Sequence, residues 1–577
     1  MKPPILIVLM TFAACVAPDH GDLSRLQPGR YFEAKGRIVD GSPLVEEIAE
    51  IAQGSSPQPD KVEITAAVES ADGTRVRTLG HEFELTEKTE YEDEARGAVA
   101  PFVADTGDWL RIKARIKPDG LRARTLRHTE PRDRFEVAGQ VRGVDERQGW
   151  LDLGGLRLPL AEDVDIELTG ARDPDDPLSL FLADDQKAVP FTLRATDALM
   201  FGGQVSTNIE WDDEYDLDAT DAGDRTKPAL QGKIDALWLL DDNGSYVLGE
   251  VSAGRRETHR EGGATTADDQ LEVTRAFASL RATDGLQLLF GRQDFDEERE
   301  WLYDEVLDGA RAVVRHADVE LEVAAAVGRE IMAEPNATEN TGLYVANLRW
   351  RPQPRWTIGA YALQRTDDTA AGFEPRLYGV RSFARPRYGL GHWFELGLAR
   401  GDAGNRSIHG HAFDAGVLYT FDAPLRPSLG AGIAFGSGER DSSPRLGYRQ
   451  SGLQDNNGKL GGVTSVRYYG ELFRPELANL TVTTAVAAIR PWRGASISLL
   501  LHGYRQDVAA TTSPGNDLRT SSNGLSTDLG REIDLVLGYR LRRQLTLELV
   551  LARFDPGAAF SSQDAANLLE FTARFSF

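Results

Sequence analysis

Arg311 and Arg315 share one face of an alternating stretch, opposite Ala310, Ala312 and Val314. Arg381 and Arg385 share a face in the same way. Arg349 stands opposite Tyr344, Leu348 and Trp350, beside Asn347, and Arg574 stands opposite Phe571, Phe575 and Phe577. A guanidinium stays charged at any physiological pH, and its planar fork holds a carboxylate through two parallel hydrogen bonds. Such groups set along a wall form a series of weak anion sites. Carboxylates on similar faces (Glu320, Glu322, Glu395, Glu532, Asp534, Glu548 and Glu570) could instead neutralise them in purely structural networks. Other titratable clusters are poorer. "DDEYDLDATDAGD" (Asp212–Asp224) carries seven acids and could hold Ca²⁺ through carboxylate oxygens, but it lacks the spacing of an EF-hand and reads as a solvated loop. "HGH" (His409–His411) puts two imidazoles on one strand face, without the further ligands a metal needs, and reads as a strand end near an interface. His502, with Tyr504, Ser496 and Ser498, is the nearest approach to a hydrolytic set. There is no nucleophile elbow and no zinc-helix motif, so no enzyme and no cofactor are expected.

The chain that must position these groups has 577 residues and a net charge of −25, from 90 acids and 65 basic residues. That balance argues against a general nucleic-acid binder. Mean hydropathy is −0.36, and no run approaches the roughly 20 apolar residues of a spanning helix. A membrane β-barrel has this bulk composition too, because half of each strand faces water. The single cysteine, Cys15, excludes a disulfide framework. "MKPPILIVLMTFAAC" has the outline of a secretory signal. Its Ala-Ala-Cys resembles the bacterial lipoprotein box, which implies a signal over 1–15 and lipidation of Cys15; an ordinary cleavable signal with an incidental cysteine is the alternative.

Two regions follow different grammars. Residues 26–195 read as short strands with frequent turns, and they repeat. Lys61–Glu92 parallels Arg134–Glu167, each a three-strand unit; Tyr31–Ile48 parallels Trp109–Leu126, each a hairpin. We expect small antiparallel barrels in tandem, over 26–130 and 131–195. They resemble the OB-like β domains of exported bacterial proteins, in a spacer or partner-docking role.

From about Leu199 strands lengthen to roughly ten residues, which crosses a bilayer at a tilt. Val319–Val327, Arg531–Leu541 and Leu545–Arg553 alternate cleanly. Short links (Asp241–Gly244, Thr283–Gly285, Arg351–Arg355, Asp422–Arg426, Pro491–Gly494, Arg542–Gln544) alternate with long polar ones (Asp212–Lys227, Thr258–Asp268, Asp296–Glu305, Arg329–Asn340, Gln506–Gly530). Short turns on one side and long loops on the other mark an outer-membrane barrel. Keeping that alternation places Gly461–Leu477 in a long loop and makes the count eighteen, with both ends on the short-turn side. The final strand, "LLEFTARFSF", then pairs with the first and leaves no edge. Trp211, Trp238, Trp350, Trp356 and Trp492 lie near strand ends, where interfacial girdles belong; a single deep tryptophan core is not visible. The fold class expected is all-β: a transmembrane antiparallel β-barrel of eighteen strands over 196–577, preceded by small OB-like β-barrel domains.

Two stretches go beyond barrel grammar. Gly291–Gln293, then Arg299, Trp301, Tyr303 and Asp304, then Asp308 and Arg311 form one. Tyr468–Glu471 and Pro475–Leu480 form the other. Together they resemble the outer-membrane alginate export family. That resemblance implies an eighteen-stranded monomeric porin passing a linear anionic polysaccharide; passage by diffusion and N-terminal domains in the periplasm are expected with it. Independently, the terminal aromatic strand ending in Phe577 resembles the signal read by the barrel-insertion machinery. A polyuronate carries one carboxylate per sugar, so its passage needs cations arranged as several weak sites. The candidate lining is Arg292, Arg299, Arg311, Arg315, Arg349, Arg381, Arg467, Arg474 and Arg574. The acidity of the chain keeps two alternatives open: a general anion or oligosaccharide porin, and a barrel that only anchors an adhesion or docking domain.

Overall fold

The computed structural model describes Leu26, residues 31–167 and residues 193–577. Within these spans it leaves out 40–41, 51–59, 94–96, 118–119, 133, 146–148, 197, 219–223, 242–243, 284, 329–340, 354–355, 368–371, 386–388, 440–444, 493, 513–514 and 542–544. Cys15 and the signal segment lie outside the described residues. The chain divides into two compact units, Met1–Ala171 and Arg172–Phe577.

The first unit is built from two strand circuits of the same design. Phe135–Asp145, Trp150–Leu153 and Leu156–Glu167 form an antiparallel meander. Its last strand runs parallel to Ser42–Glu50, which is hairpinned to Tyr31–Val39, and Tyr31–Val39 pairs back onto Phe135–Asp145. The second circuit passes from Lys61–Ala67, continued as Ser70–Ala71, through Arg75–Thr78 to His81–Glu84. That strand runs parallel to Gly120–His128, which pairs with Trp109–Lys117, and Trp109–Lys117 returns to Lys61–Ala67. A meander and a hairpin joined by one parallel pair is an OB-like circuit. The repeats in the sequence are these parts.

The boundary expected at 130/131 is corrected. The hairpin Tyr31–Glu50 belongs with the meander 135–167, and the whole second circuit is inserted between them. Closure needs the last meander strand beside the hairpin, so partners distant in sequence join, and neighbours in sequence do not. The circuits also share an edge, Glu136↔Thr65, and one apolar core running from Phe32 to Val164. Gly154 sits where they meet, at φ +62°; a Cβ there would stand 2.8 Å from Val62 Cβ.

In the second unit, twenty strands share one sheet. Two are two-residue stubs beside the ring, Leu193–Arg194 and Arg445–Leu446. The other eighteen pair antiparallel in chain order, from Leu199–Asp213 to Ala566–Ser576. The ring closes from Gln204↔Ser576 to Asp213↔Asn567, and Gly203 and Phe577 exchange two further backbone hydrogen bonds of 2.8 Å. The terminal aromatic strand therefore has no free edge. Alternation separates the two faces: Val323 is 50% exposed on the outer wall, whereas its neighbour Glu322 is 4% exposed inside. Trp211, Trp238, Trp350 and Trp492 are exposed near strand ends, as a girdle requires. The link expected over Thr258–Asp268 is mostly strand. Its pairs, including Arg255↔Asp269 and Thr258↔Thr266, carry a polar hairpin up to a turn at 261–265.

The closing seam makes a prediction. A Cβ at Gly203 would fall 2.4 Å from the Phe577 ring and 2.9 Å from the Lys233 carbonyl. Gly203→Leu should overpack this seam by about 1–3 kcal/mol. The temperature at which the folded, gel-resistant band is lost should fall, while Gly232→Leu, in open space, leaves it unchanged.

Candidate functional site

The lumen is built by the wall and by two loops that enter it. The longer loop, residues 437–479, joins the thirteenth strand (Ser428–Gly436) to the fourteenth (Leu480–Ile489). It leaves the long-loop rim and descends the whole height of the barrel. Arg490, at the short-turn end, donates to the carbonyls of Gly461 (3.2 Å) and Gly462 (3.3 Å), and Val463 N–H donates to Ser496 Oγ at 2.9 Å. The chain then climbs back to Leu477, whose N–H meets Gln450 Oε1 at 2.8 Å. The second loop, residues 297–303, links the fifth strand (Leu286–Asp296) to the sixth (Asp304–His316). The two loops hold each other: Trp301 Nε1 donates to Tyr469 Oη at 2.8 Å, and Gln450 Nε2 donates to the Trp301 carbonyl at 2.8 Å.

Trp301 is wholly buried, with Tyr303, Tyr448, Leu472 and Phe473 around it in one apolar cluster. A deep core that is not visible in the sequence is thus present inside the barrel. This core is absent from strand periodicity because irregular loop segments, which have no period, supply much of it.

Carboxylates on the wall clasp the climbing arm of the long loop. Glu532, on the sixteenth strand (Asp528–Leu541), accepts the N–H groups of Leu472 (2.7 Å) and Phe473 (3.0 Å) and the Tyr504 hydroxyl (3.0 Å). Asp534 accepts Glu471 N–H at 3.3 Å. Backbone donors substitute here for the water that a buried carboxylate has lost. Glu471 itself is buried, and that burial pushes its carboxyl up to about 7.

Eight of the nine candidate arginines are braces rather than open cations. Arg381 bridges Glu297 and Glu395, both at 2.6 Å, and lies 4.7 Å over the Tyr361 ring. Arg299 meets Asp414 at 2.5 Å and covers the Tyr468 ring at 4.1 Å. Arg349 joins Glu320 (2.8 Å) to Glu322 (3.0 Å), and Arg315 meets Glu320 at 2.6 Å. Arg311 donates to the Asp294 carbonyl (2.7 Å) and stands 3.4 Å from Glu322. Arg292 is bidentate to Asp308, at 3.0 and 3.1 Å. Arg467 holds Asp455 at 2.5 Å, and Arg474 holds Glu570 at 3.1 Å. A buried charge survives only when paired in this way. Arg574 differs: it is exposed and makes no ion pair among the described residues.

Arg574 stands with residues that the candidate set omits. Arg540↔Thr546 and Thr546↔Arg574 align in one register row near the short turns. Arg540 alternates with the outward Ile533, Leu535 and Leu537, so its place on the inner face could have been taken from the sequence. Lys459, near the foot of the long loop, could not. Its amine is pushed down to about 8 by burial and by the charges of Arg540, Arg490 and Arg385. Like charges concentrate at this mouth, and Arg385, Arg540 and Arg574 form no ion pairs among the described residues.

The remaining candidates fall elsewhere. Asp213, Glu214 and Asp224 of the acidic loop bring carboxylate oxygens within 4.8 Å of one another, as do Glu300, Asp304 and Asp455. His409 and His411 face outward at the rim. His502 Nδ1 is 2.9 Å from Thr484 Oγ1, and Nε2 is 3.4 Å from Asp534.

Two predictions follow from the clasp. Glu532→Ala strands two buried N–H groups and should cost about 2–3 kcal/mol of loop docking. Amide exchange at 471–473 should speed up while exchange in the barrel strands stays unchanged. The raised Glu471 pKa means the docked loop favours the neutral acid. That contribution is complete below the ordinary value of 4.5 and is lost as pH rises through about 7. Exchange at 467–473, corrected for intrinsic rates, should therefore accelerate across this window, and Glu471→Gln should flatten the profile.

Residues 197–573 match the family described as alginate export. No curated protein matches. Among solved structures, the chain is similar to Acinetobacter baumannii OccAB4, with 10% identity and a TM-score of 0.47, covering 66% of this chain and 99% of that one. It is also similar to Pseudomonas aeruginosa OccK5 (OpdH), with 10% identity and a TM-score of 0.44, covering 65% and 98%, and to Pseudomonas aeruginosa OpdQ, with 9% identity and a TM-score of 0.45, covering 66% and 99%. With the family matched over well more than half its length, on a closed eighteen-stranded barrel, the chain belongs to the alginate export family.

Proposed function

We propose that this outer-membrane barrel is a porin that conducts an anionic polysaccharide of the polyuronate class by passive diffusion. The observation that carries the reading is the cluster of cations at the short-turn mouth: Lys459, Arg385, Arg490, Arg540 and Arg574. A polymer with one carboxylate per sugar meets several guanidiniums there. The contacts with Arg385, Arg540 and Arg574 are weak because water reaches these side chains, so the chain is attracted without being held. The arginines deeper in the barrel stabilise the loops and carry little net field, because acids neutralise them.

On this reading the short turns face the periplasm. The N-terminal unit, joined to the first strand at its short-turn end, is then periplasmic, with Cys15 as a lipid anchor. Phe577 closes the seam and serves as the insertion signal, and the barrel works as a monomer. The same neutralisation also favours a second reading, a general anion or oligosaccharide porin, because few cations remain to grip a long polymer.

Conductance through a planar bilayer separates the two. A polyuronate porin should be blocked by uronate oligomers at concentrations at which neutral oligosaccharides of equal length have no effect. Arg540→Gln combined with Arg574→Gln should weaken that block about tenfold, since two charge-assisted contacts of about 0.7 kcal/mol each are lost. Equal block by neutral and anionic oligomers, unaltered in the double variant, would leave the general porin.

A further inference from the structure

The outer wall carries a feature that pore function does not use. One register row crosses the fifth to twelfth strands, from Phe290 through Ala325, Tyr344 and Gln364 to Arg376, Arg400 and His409. Alternation places the row outside: Tyr344, Tyr378 and Leu398 are exposed on the same face. The strands tilt, so register rows climb. The row containing Trp350, near the short-turn end of its strand, reaches Gly503, near the long-loop end of the fifteenth strand (Ala495–Gln506). The Phe290 end therefore lies deep in the apolar band, and the His409 end lies at the long-loop rim.

The lower part of the row is a groove of about 540 Å³. Alanines (Ala310, Ala325, Ala346, Ala362) floor it, and Phe290, Tyr344 and Tyr378 wall it. Small residues between large ones leave a channel wide enough for one hydrocarbon chain. The row from Phe290 to Arg376 crosses five strand spacings, roughly 24 Å at about 4.8 Å each.

At the upper end two guanidiniums face one another. Arg376 and Arg400 are direct cross-strand partners, and His409 is the next residue of the row. Like charges directly opposite destabilise a sheet. Arg400 donates to the Ala399 and Gly410 carbonyls, at 2.7 and 3.2 Å, and neither arginine forms an ion pair among the described residues. The nearest acids on this face, Glu374 and Asp402, pair with each other in register one outward position nearer the loops. Three other outward arginines toward this rim are matched: Arg255 holds Asp269 (3.3 Å), and Arg531 and Arg553 hold Asp555 (3.3 and 3.1 Å).

We propose that this row binds a phosphorylated lipid of the outer leaflet, with its phosphate between Arg376 and Arg400 and one acyl chain in the alanine groove. An occupant at this position must be anionic at one end and apolar along the rest. The long-loop side of such barrels faces the cell exterior, which selects the outer leaflet. A phosphate accepts from both guanidinium forks and removes the repulsion between them. The inference rests on the membrane placement of the wall and is independent of what the pore conducts.

The test is a titration of the detergent-solubilised full-length protein with bis-phosphorylated lipid A and with its dephosphorylated form, read by native mass spectrometry. The wild type should retain the phosphorylated form at least tenfold better. Arg376→Gln with Arg400→Gln should abolish that preference, and Arg376→Lys with Arg400→Lys should keep part of it. Ala325→Leu with Ala346→Leu should lower retention of both forms by filling the groove. All variants should show unchanged heat-dependent mobility on gels and unchanged conductance. Equal retention of the two forms by the wild type would overturn the site, as would an unaltered preference in the glutamine pair. A protein dimer split by the leucine pair, without lipid selectivity, would reassign the face to a second copy of this chain.

Discussion

In hydrocarbon, a backbone N–H or C=O has no water to turn to, so every strand edge must be paired within the protein. The rest of this barrel depends on that constraint. It forces the last strand back onto the first, and it makes Gly203 and Phe577 partners although almost the whole barrel separates them in sequence. It also fixes which side chains face inward. Once the ring closes, register and parity assign every strand residue to lipid or lumen, and acids such as Glu395, Asp414, Glu532 and Asp534 have nowhere to go but inside.

Those acids set the next level of organisation. A buried carboxylate must find cations or donors, and the lumen supplies both. Arginines on neighbouring strands brace some of them, as Arg349 does between Glu320 and Glu322. Others take backbone N–H groups from the inserted loop, as Glu532 does. The loop therefore docks as part of the electrostatic solution to an acidic wall, and its apolar residues then pack around Trp301. Arg385, Arg540 and Arg574, which form no ion pair among the described residues, lie toward the short-turn mouth.

The N-terminal unit obeys the same closure rule on a smaller scale. Each circuit needs one parallel pair to join a meander to a hairpin, and in one circuit the hairpin comes first in the chain. Repeats in sequence show the parts, but the closure rule decides which part belongs to which circuit.

Much of the barrel was legible in the residues alone. Alternation such as Val319–Val327, and the parity of short and long links, determined strand count, facing and closure, because period two and a closed even ring leave few choices. The same parity put Arg349, Arg381 and Arg540 on the inner face. It could not say which arginines stay open. That depends on distances across the lumen between strands far apart in sequence, and on loops such as 437–479 that carry no periodic signal. Lys459 reaches the mouth only because its loop descends the full barrel, and Arg376 meets Arg400 only because register aligns them. Facing is a local property of the strand, while charge balance is a property of the assembled cylinder; only the tertiary structure decided the second.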